Sequence, residues 1–294
     1  MPVSEIEPVQ LDLGRLEQMA ESGYYNPYTA FEWPDSIEAD KPWMSESLTT
    51  LAGTEMWDEL TREQQLALTR FEAVNFFSLN IHGIRELMSE VVMRIHERAY
   101  AGVSEFLHHF IGEENEHMWF FAQFCLRYGG KLYPAQPKLQ AGSVDHLSPL
   151  ARELIVFARV LIFEEIVDHY NAYMATDESL PHIAREINRV HHQDESRHVA
   201  FGRMVFVNLL GQVKRRDPDE IPLVAAYLES YLQYSIATLY NPAAYRDAGI
   251  PDALALRRRA LEHPARKAAH DQVLKRTRRF LAKSGAGLGG PADR

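Results

Sequence analysis

The chain has a single cysteine, Cys125, among its 294 residues, which excludes an internal disulfide bond. Long apolar runs are also missing: no stretch of about 18 apolar residues occurs, so we expect no transmembrane helix and no membrane association. The opening Met1–Gly14 lacks the basic start and apolar core of a signal peptide. These absences favour a reducing compartment, and the cytoplasm is the expected location.

Positive charge is in deficit, because 31 Lys and Arg face 41 Asp and Glu, for a formal net charge of −10. This balance argues against a general nucleic-acid binder. Hydrophobic residues make up 46% of the chain and charged residues 24%, which is enough apolar material for a full core. No stretch has the period of a β-strand, so the length predicts one large all-α domain or two small ones.

Helical periodicity organises most of the chain. From Val74 to Ile95 apolar residues recur at spacings of three and four, which predicts a helix of about 35 residues beginning at a Thr61–Gln64 capping box. Ser104 is a candidate cap of the second helix, and Ser148 followed by proline opens the third. Later helices are predicted from the region of residues 179–181 to near Gly211, over 222–240 and over 254–283.

Three regions follow from this pattern. Residues 1–60 are rich in proline and aromatic residues and are predicted to be an irregular segment that wraps over the helices. Residues 61–283 are predicted to form the helical domain. Residues 284–294 are Gly-rich and are predicted to be a disordered tail.

The most informative motif is His191, Glu195 and His198, which share one face of a helix because they are spaced i, i+4 and i+7. Glu114 and His117 form a second Glu-x-x-His pair, and Glu164 with Glu165 interrupts an apolar run. Two Glu-x-x-His helices and a glutamate from another helix provide most of a carboxylate-bridged two-metal site in a helix bundle. Such ligands favour iron or manganese and, most often, oxygen chemistry.

Each cluster alone also has a simpler interpretation. Ion pairs at i, i+4 on a solvated helix face would explain the His191 motif, and Glu-x-x-His pairs arise by chance in many helices. Their occurrence together, each among apolar or aromatic neighbours, favours the metal site. Asp168, Asp194 and Arg197 are candidates for orienting the histidines.

With a histidine preceding its Glu-x-x-His, the fourth-helix motif resembles the p-aminobenzoate N-oxygenase family of ferritin-like di-iron enzymes. The segments 60–65 and 240–249 also look like that family, and the resemblance covers roughly residues 60 to 282. It implies a ferritin-like helix bundle with additional C-terminal helices and a centre with three histidines. Matched by position, the implied metal ligands are Glu114, His117, Glu164, His191, Glu195 and His198.

One position departs from the pattern. The resemblance also implies a glutamate from the first long helix, but the matching position is occupied by Ile84. Glu86 lies about 200° further round the helix and cannot simply replace it. Two alternatives are open: either the register is different and Glu86 is a ligand, or the first metal position is depleted.

The resemblance implies an oxygenase that uses O₂ to oxidise a small molecule, by N-oxygenation of an amine or by hydroxylation. Two iron ions are expected, with manganese or a mixed Mn/Fe pair as the alternative. Electrons must come from an external donor or redox partner, since no flavin or nicotinamide signature is present. A homodimer is expected. The rival functions are a non-enzymatic ferritin-type metal-binding protein and a helical interaction protein with a depleted metal site.

Overall fold

A computed structural model describes residues 6–137, 139 and 144–287. These residues form helices and connecting loops, with no strand among them, which confirms the all-α prediction. No helix in the described ranges is long and apolar enough to cross a membrane. The helices are α1 Gly14–Gly23, α2 Pro27–Ala30, α3 Glu55–Asp58, α4 Arg62–Val92, α5 Ser104–Phe124, α6 Pro149–Thr176, α7 His182–Arg216, α8 Ile221–Leu239, α9 Pro242–Asp247, α10 Ala253–Glu262 and α11 Pro264–Ser284.

Two antiparallel pairs of long helices make the bundle. In α4 and α5, the rings of Phe77 and Phe121 stack with their centroids 4.9 Å apart, while Cys125 contacts the backbone of Val74. In α6 and α7, which share the largest interface, Asn171 contacts His191 near one end and Leu161 packs near Gly202. The apolar faces of α4, α5, α6 and α7 therefore pack around one core.

Local chemistry fixes several helix ends as predicted. The Thr61 hydroxyl accepts from the Gln64 N–H, and the Gln64 side chain accepts from the Thr61 N–H, which completes the capping box of α4. The Ser148 hydroxyl accepts from the Ala151 N–H, with proline at the first position of α6.

Other helix boundaries differ from the prediction. α4 ends at Val92 and is shorter than expected. Ser104 does not cap α5: its hydroxyl donates to the Tyr100 carbonyl and accepts from the His96 N–H. α7 continues through Gly211 to Arg216, because the buried Leu210 and Val213 extend its apolar stripe and a single glycine is tolerated in a helix.

The C-terminal helix predicted over 254–283 is two helices. α10 ends at Glu262 and α11 begins at Pro264. Proline lacks the N–H needed to continue α10, and the His263 side chain accepts from the Ala265 N–H to cap α11.

The N-terminal segment is only partly irregular, because the described residues 6–60 contain α1, α2 and α3. Leu13, Phe31 and Trp43 in this segment are buried in the main core. At the other end, α11 runs to Ser284 and is closed by Gly285, which has a positive φ of 74°. Of the predicted disordered tail, residues 288–294 lie outside the described residues. The three-region division of the chain stays a prediction.

Candidate metal centre

Three helices bring the six predicted ligands to one place in the core. α5 provides Glu114 and His117, α6 provides Glu164, and α7 provides the remaining three. Each of the six side chains is no more than 1% exposed. Turns of α5 and α7 that carry Glu-x-x-His therefore face each other across the bundle interior.

The distances are those of a compact cluster. His198 Nδ1 lies 2.8 Å from Glu114 Oε1, and His191 Nε2 lies 2.9 Å from Glu195 Oε1. One ligand atom from each of Glu114, His117, Glu195 and His198 lies within 4.8 Å of the others. Metal–ligand bonds to nitrogen and oxygen are about 2.0–2.2 Å long, so these four atoms can surround one ion.

The inward-facing atoms of this cluster contact one another without forming hydrogen bonds of good geometry. Within the described part of the chain, this holds for both carboxylate oxygens of Glu114, Glu164 and Glu195 and for the inward nitrogens His117 Nδ1, His191 Nε2 and His198 Nδ1. Burying polar groups without partners costs several kcal/mol each. Bound cations would satisfy these atoms, so the donor set fits a metal centre.

The outward nitrogen of each histidine, by contrast, has a partner. His117 Nε2 lies 3.1 Å from Asp194 Oδ2, and His198 Nε2 lies 2.8 Å from Glu113 Oε2. His191 Nδ1 contacts the side-chain amide of Asn171. Such outer partners fix the ring orientation and tautomer of metal-binding histidines. All three rings are thus held with one nitrogen directed at the cluster.

A second layer of charge supports these partners. Arg197 donates to both Glu113 and Asp194 at 2.6 Å, and the Tyr25 hydroxyl donates to Asp194 at 3.4 Å. Asp194 and Arg197 therefore lie where the sequence suggested. Asp168 does not: it contacts His192 and Arg276, away from the predicted ligands.

Sequence reasoning missed three of the partners, namely Glu113, Asn171 and Tyr25. Glu113 precedes Glu114, but on a helix adjacent residues point about 100° apart. Its contact with His198 depends on the packing of α5 against α7. Asn171 lies one turn beyond Val167 on α6, and only the register of α6 against α7 places it at His191.

Electrostatics within the cluster are strongly coupled. Burial, reinforced by the nearby Glu195 and Glu114 charges, raises the pKa of Glu164 well above its ordinary value. Burial also acts to raise the pKa of Glu195, but His191 and His198 outweigh it and hold that pKa well below the ordinary value. Glu195 is therefore poised as an ionised carboxylate, the form that binds metals.

The structure separates the two candidates on the first long helix. Ile84 is fully buried in the core, whereas Glu86 lies on the outer face of α4 and forms an ion pair with Arg159. Glu86 is not brought to the centre, which argues against the alternative register in which it would be a ligand.

Over residues 12–285 the chain matches the family described as p-aminobenzoate N-oxygenase AurF. The comparison with curated proteins gave no match. A solved variant of an R2-like ligand-binding oxidase, with an aerobically reconstituted Mn/Fe cofactor, is 16% identical with a TM-score of 0.52, and the alignment covers 94% of each chain. An R2-like ligand-binding oxidase from Sulfolobus acidocaldarius is 14% identical with a TM-score of 0.43, covering 90% of this chain and 93% of that one. The first similarity shows a shared ferritin-like bundle fold.

Proposed function

The chain belongs to the p-aminobenzoate N-oxygenase AurF family, and on that premise we propose that it is an oxidoreductase with a two-metal centre that uses O₂ to oxidise a small organic molecule. Two iron ions, or one manganese and one iron ion as in the solved R2-like oxidase variant, are the proposed metals. The proposed ligands are Glu114, His117, Glu164, His191, Glu195 and His198.

One observation carries this proposal: the inward-facing donor atoms of all six residues are buried and without hydrogen bonds among the described residues, while the outer nitrogen of each histidine is bonded. Contacts between histidines and carboxylates inside the cluster, at 2.8 and 2.9 Å, do not meet hydrogen-bond geometry, whereas polar groups buried for stability alone are normally hydrogen-bonded. Their arrangement instead suits the carboxylate and imidazole coordination of iron and manganese.

The chemistry that the bound metals would supply is the activation of O₂ with electrons from an external donor. The protein's own part is structural and electrostatic. Asp194, Glu113 and Asn171 orient the three imidazoles. The surrounding aromatic side chains, including Phe110, which lies 4.3 Å from His198 between ring centroids, exclude water from the cluster.

A cavity of about 690 Å³ is the proposed substrate site, since small-molecule pockets are usually of this size. It lies between α4, α6 and α8 and is lined in part by Phe76, Phe163, Ile166, Arg159 and Tyr231. Phe163 and Gly83 line this cavity. Glu164, the next residue after Phe163 on α6, belongs to the proposed ligand set, so the cavity and the centre lie on neighbouring faces of α6. Aromatic walls with an Arg159–Glu86 ion pair at one side suit a small aromatic substrate that carries a polar group.

N-oxygenation of an aromatic amine is the proposed reaction, by analogy with the family description, and hydroxylation is the alternative. The test is metal analysis of the purified protein, followed by O₂ consumption of the chemically reduced protein with and without p-aminobenzoate. The proposal expects bound iron or manganese and O₂ uptake coupled to oxidation of an amine. Bound metal with mineral formation and no organic product would instead favour a ferritin-type role, and absence of metal would reject the proposal.

A further inference from the structure

None of the four carboxylates of α4 lies at the centre. Glu63 is exposed near the start of the helix, and Glu72 is bonded to Thr50. Glu86 pairs with Arg159, and Glu90 pairs with Arg94 at 3.2 Å. Helix α4, which the structure describes throughout, therefore directs no carboxylate to the three helices that carry the cluster.

Ile84 lies where a carboxylate from α4 would be needed. The Phe77 and Phe121 rings stack between antiparallel α4 and α5. Ile84 follows Phe77 by seven residues, and Glu114 precedes Phe121 by seven. Seven residues are two helical turns, so Ile84 and Glu114 lie on the same helix faces as the two rings. Because the helices are antiparallel, both are displaced from the rings in the same direction. Ile84 is therefore level with Glu114 and is 0% exposed.

A contact between α4 and α6 independently places Ile84 at the same height in the bundle. A Cβ atom built on Gly83 would lie 2.3 Å from the Phe163 ring, so α4 and α6 meet at these two residues. Ile84 follows Gly83, and Glu164 follows Phe163. The isoleucine side chain is thus placed at the height of both Glu114 and Glu164.

We infer that Ile84 occupies the place of a fourth carboxylate and that the two metal positions consequently bind their ions unequally. This inference rests on the proposed metal centre. Glu114, His117, Glu195 and His198 form one complete set of four ligand residues, with atoms within 4.8 Å of one another. Of the six proposed ligands, Glu164 and His191 remain for a second ion, which must share carboxylates with the first.

An isoleucine has no atom that can bind a cation, and its bulk keeps the position dry. The second ion must then accept fewer protein ligands. Loss of even an outer partner typically weakens metal binding 10- to 100-fold, so we expect the second ion to bind at least about tenfold more weakly than the first.

The test is equilibrium binding of Mn²⁺ to the metal-free full chain. Calorimetry measures the two dissociation constants, and metal analysis after dialysis counts the ions that stay bound. Wild type should bind one ion tightly and a second at least about tenfold more weakly. Ile84→Glu should bring the second dissociation constant close to the first. Ile84→Gln, of similar size but neutral, and Glu86→Ala, which removes a carboxylate on the outer face, should leave the two constants apart.

Each result separates this inference from the proposed function. Two equal sites in wild type would overturn the inference and leave the two-metal proposal standing, and this readout does not require any variant to fold. Loss of the second ion in Glu86→Ala would also overturn it. Wild type that binds no Mn²⁺ would reject the proposed centre itself.

Discussion

His117 and Asp194 are joined by a buried hydrogen bond in which His117 Nε2 lies 3.1 Å from Asp194 Oδ2. The bond fixes which nitrogen of the imidazole faces the cluster: Nε2 is held at the Asp194 carboxylate, and Nδ1 is the nitrogen that would bind a metal. His117 Nδ1 accordingly lies 3.5 Å from Glu114 and 3.6 Å from Glu195. Asp194 thus acts on the centre through the orientation and tautomer of one ring.

Asp194→Ala should weaken metal binding about 10- to 100-fold, because His117 would lose the partner that holds its ring. The measurement is Mn²⁺ affinity at a temperature at which circular dichroism shows the variant to be folded. Glu186→Ala is the matched control, since Glu186 lies on the same helix but pairs with Arg189 at the surface. Equal affinities in the two variants would show that Asp194 has no such role.

The six clustered residues could be predicted because their signal is local: helical spacing and apolar neighbours are visible in one stretch of sequence. Their outer partners could not. The contacts of Glu113 with His198 and of Asn171 with His191 depend on how far one helix is shifted along another, which no local pattern records. Their role as metal ligands remains a prediction.

The assignment of Ile84 or Glu86 to the interior also depended on helix packing that the sequence does not record. The sequence placed Ile84 on the apolar stripe of the first long helix, which predicts that it faces the interior, but it left open whether the register made Glu86 a ligand. Packing decided it, because Phe77 stacks on Phe121 and thereby sets the rotation of α4. The prediction of one helix over 254–283 was wrong for a local reason, because Pro264 cannot continue a helix from α10.

His198→Ala should lower metal content and remove much of the thermal stabilisation that added metal provides, since binding to the native state raises its stability. His108→Ala is the control, because His108 is exposed on α5 and its Nε2 contacts His96 rather than the cluster. The measurement is metal content with melting temperature, with and without Mn²⁺. A His198→Ala protein with wild-type values for both would exclude His198 as a ligand.

Glu72, which lies on α4 away from the centre, should make stability depend on pH. Burial raises its pKa to about 7, although hydrogen bonds from Thr50 act in the opposite direction. The native state therefore keeps a proton on Glu72 that the unfolded chain releases near pH 4.5. The free energy of unfolding is highest, as far as Glu72 is concerned, below pH 4.5, and it falls as the pH rises through about 7. The change from 4.5 to about 7 corresponds to roughly 3 kcal/mol.

Glu72→Gln should accordingly be more stable than wild type at pH 8, with a difference that shrinks towards pH 5, because glutamine imitates the protonated carboxyl without its titration. Urea unfolding of both proteins at the two pH values measures this. Parallel pH profiles for the variant and wild type would show that Glu72 does not titrate with folding.

Two helical glycines should respond oppositely to alanine. At Gly83 a new Cβ would lie 2.3 Å from the Phe163 ring, so Phe163 or the spacing of α4 and α6 must change. Overpacking of this kind costs about 1–3 kcal/mol and outweighs the gain of about 1 kcal/mol in helix propensity. Gly112 of α5 has nothing within 4 Å of such a Cβ, so Gly112→Ala should gain up to about 1 kcal/mol.

Chemical unfolding of Gly83→Ala and Gly112→Ala measures the difference, which should be roughly 2 kcal/mol in favour of Gly112→Ala. The two changes add the same methyl group to the same type of helix, so intrinsic propensity cancels and the remaining difference reports the contact with Phe163. If the two variants are equally stable, Phe163 can move into the neighbouring cavity without cost. The Gly83–Phe163 contact would then not be what holds α4 against α6 beside Ile84 and Glu164.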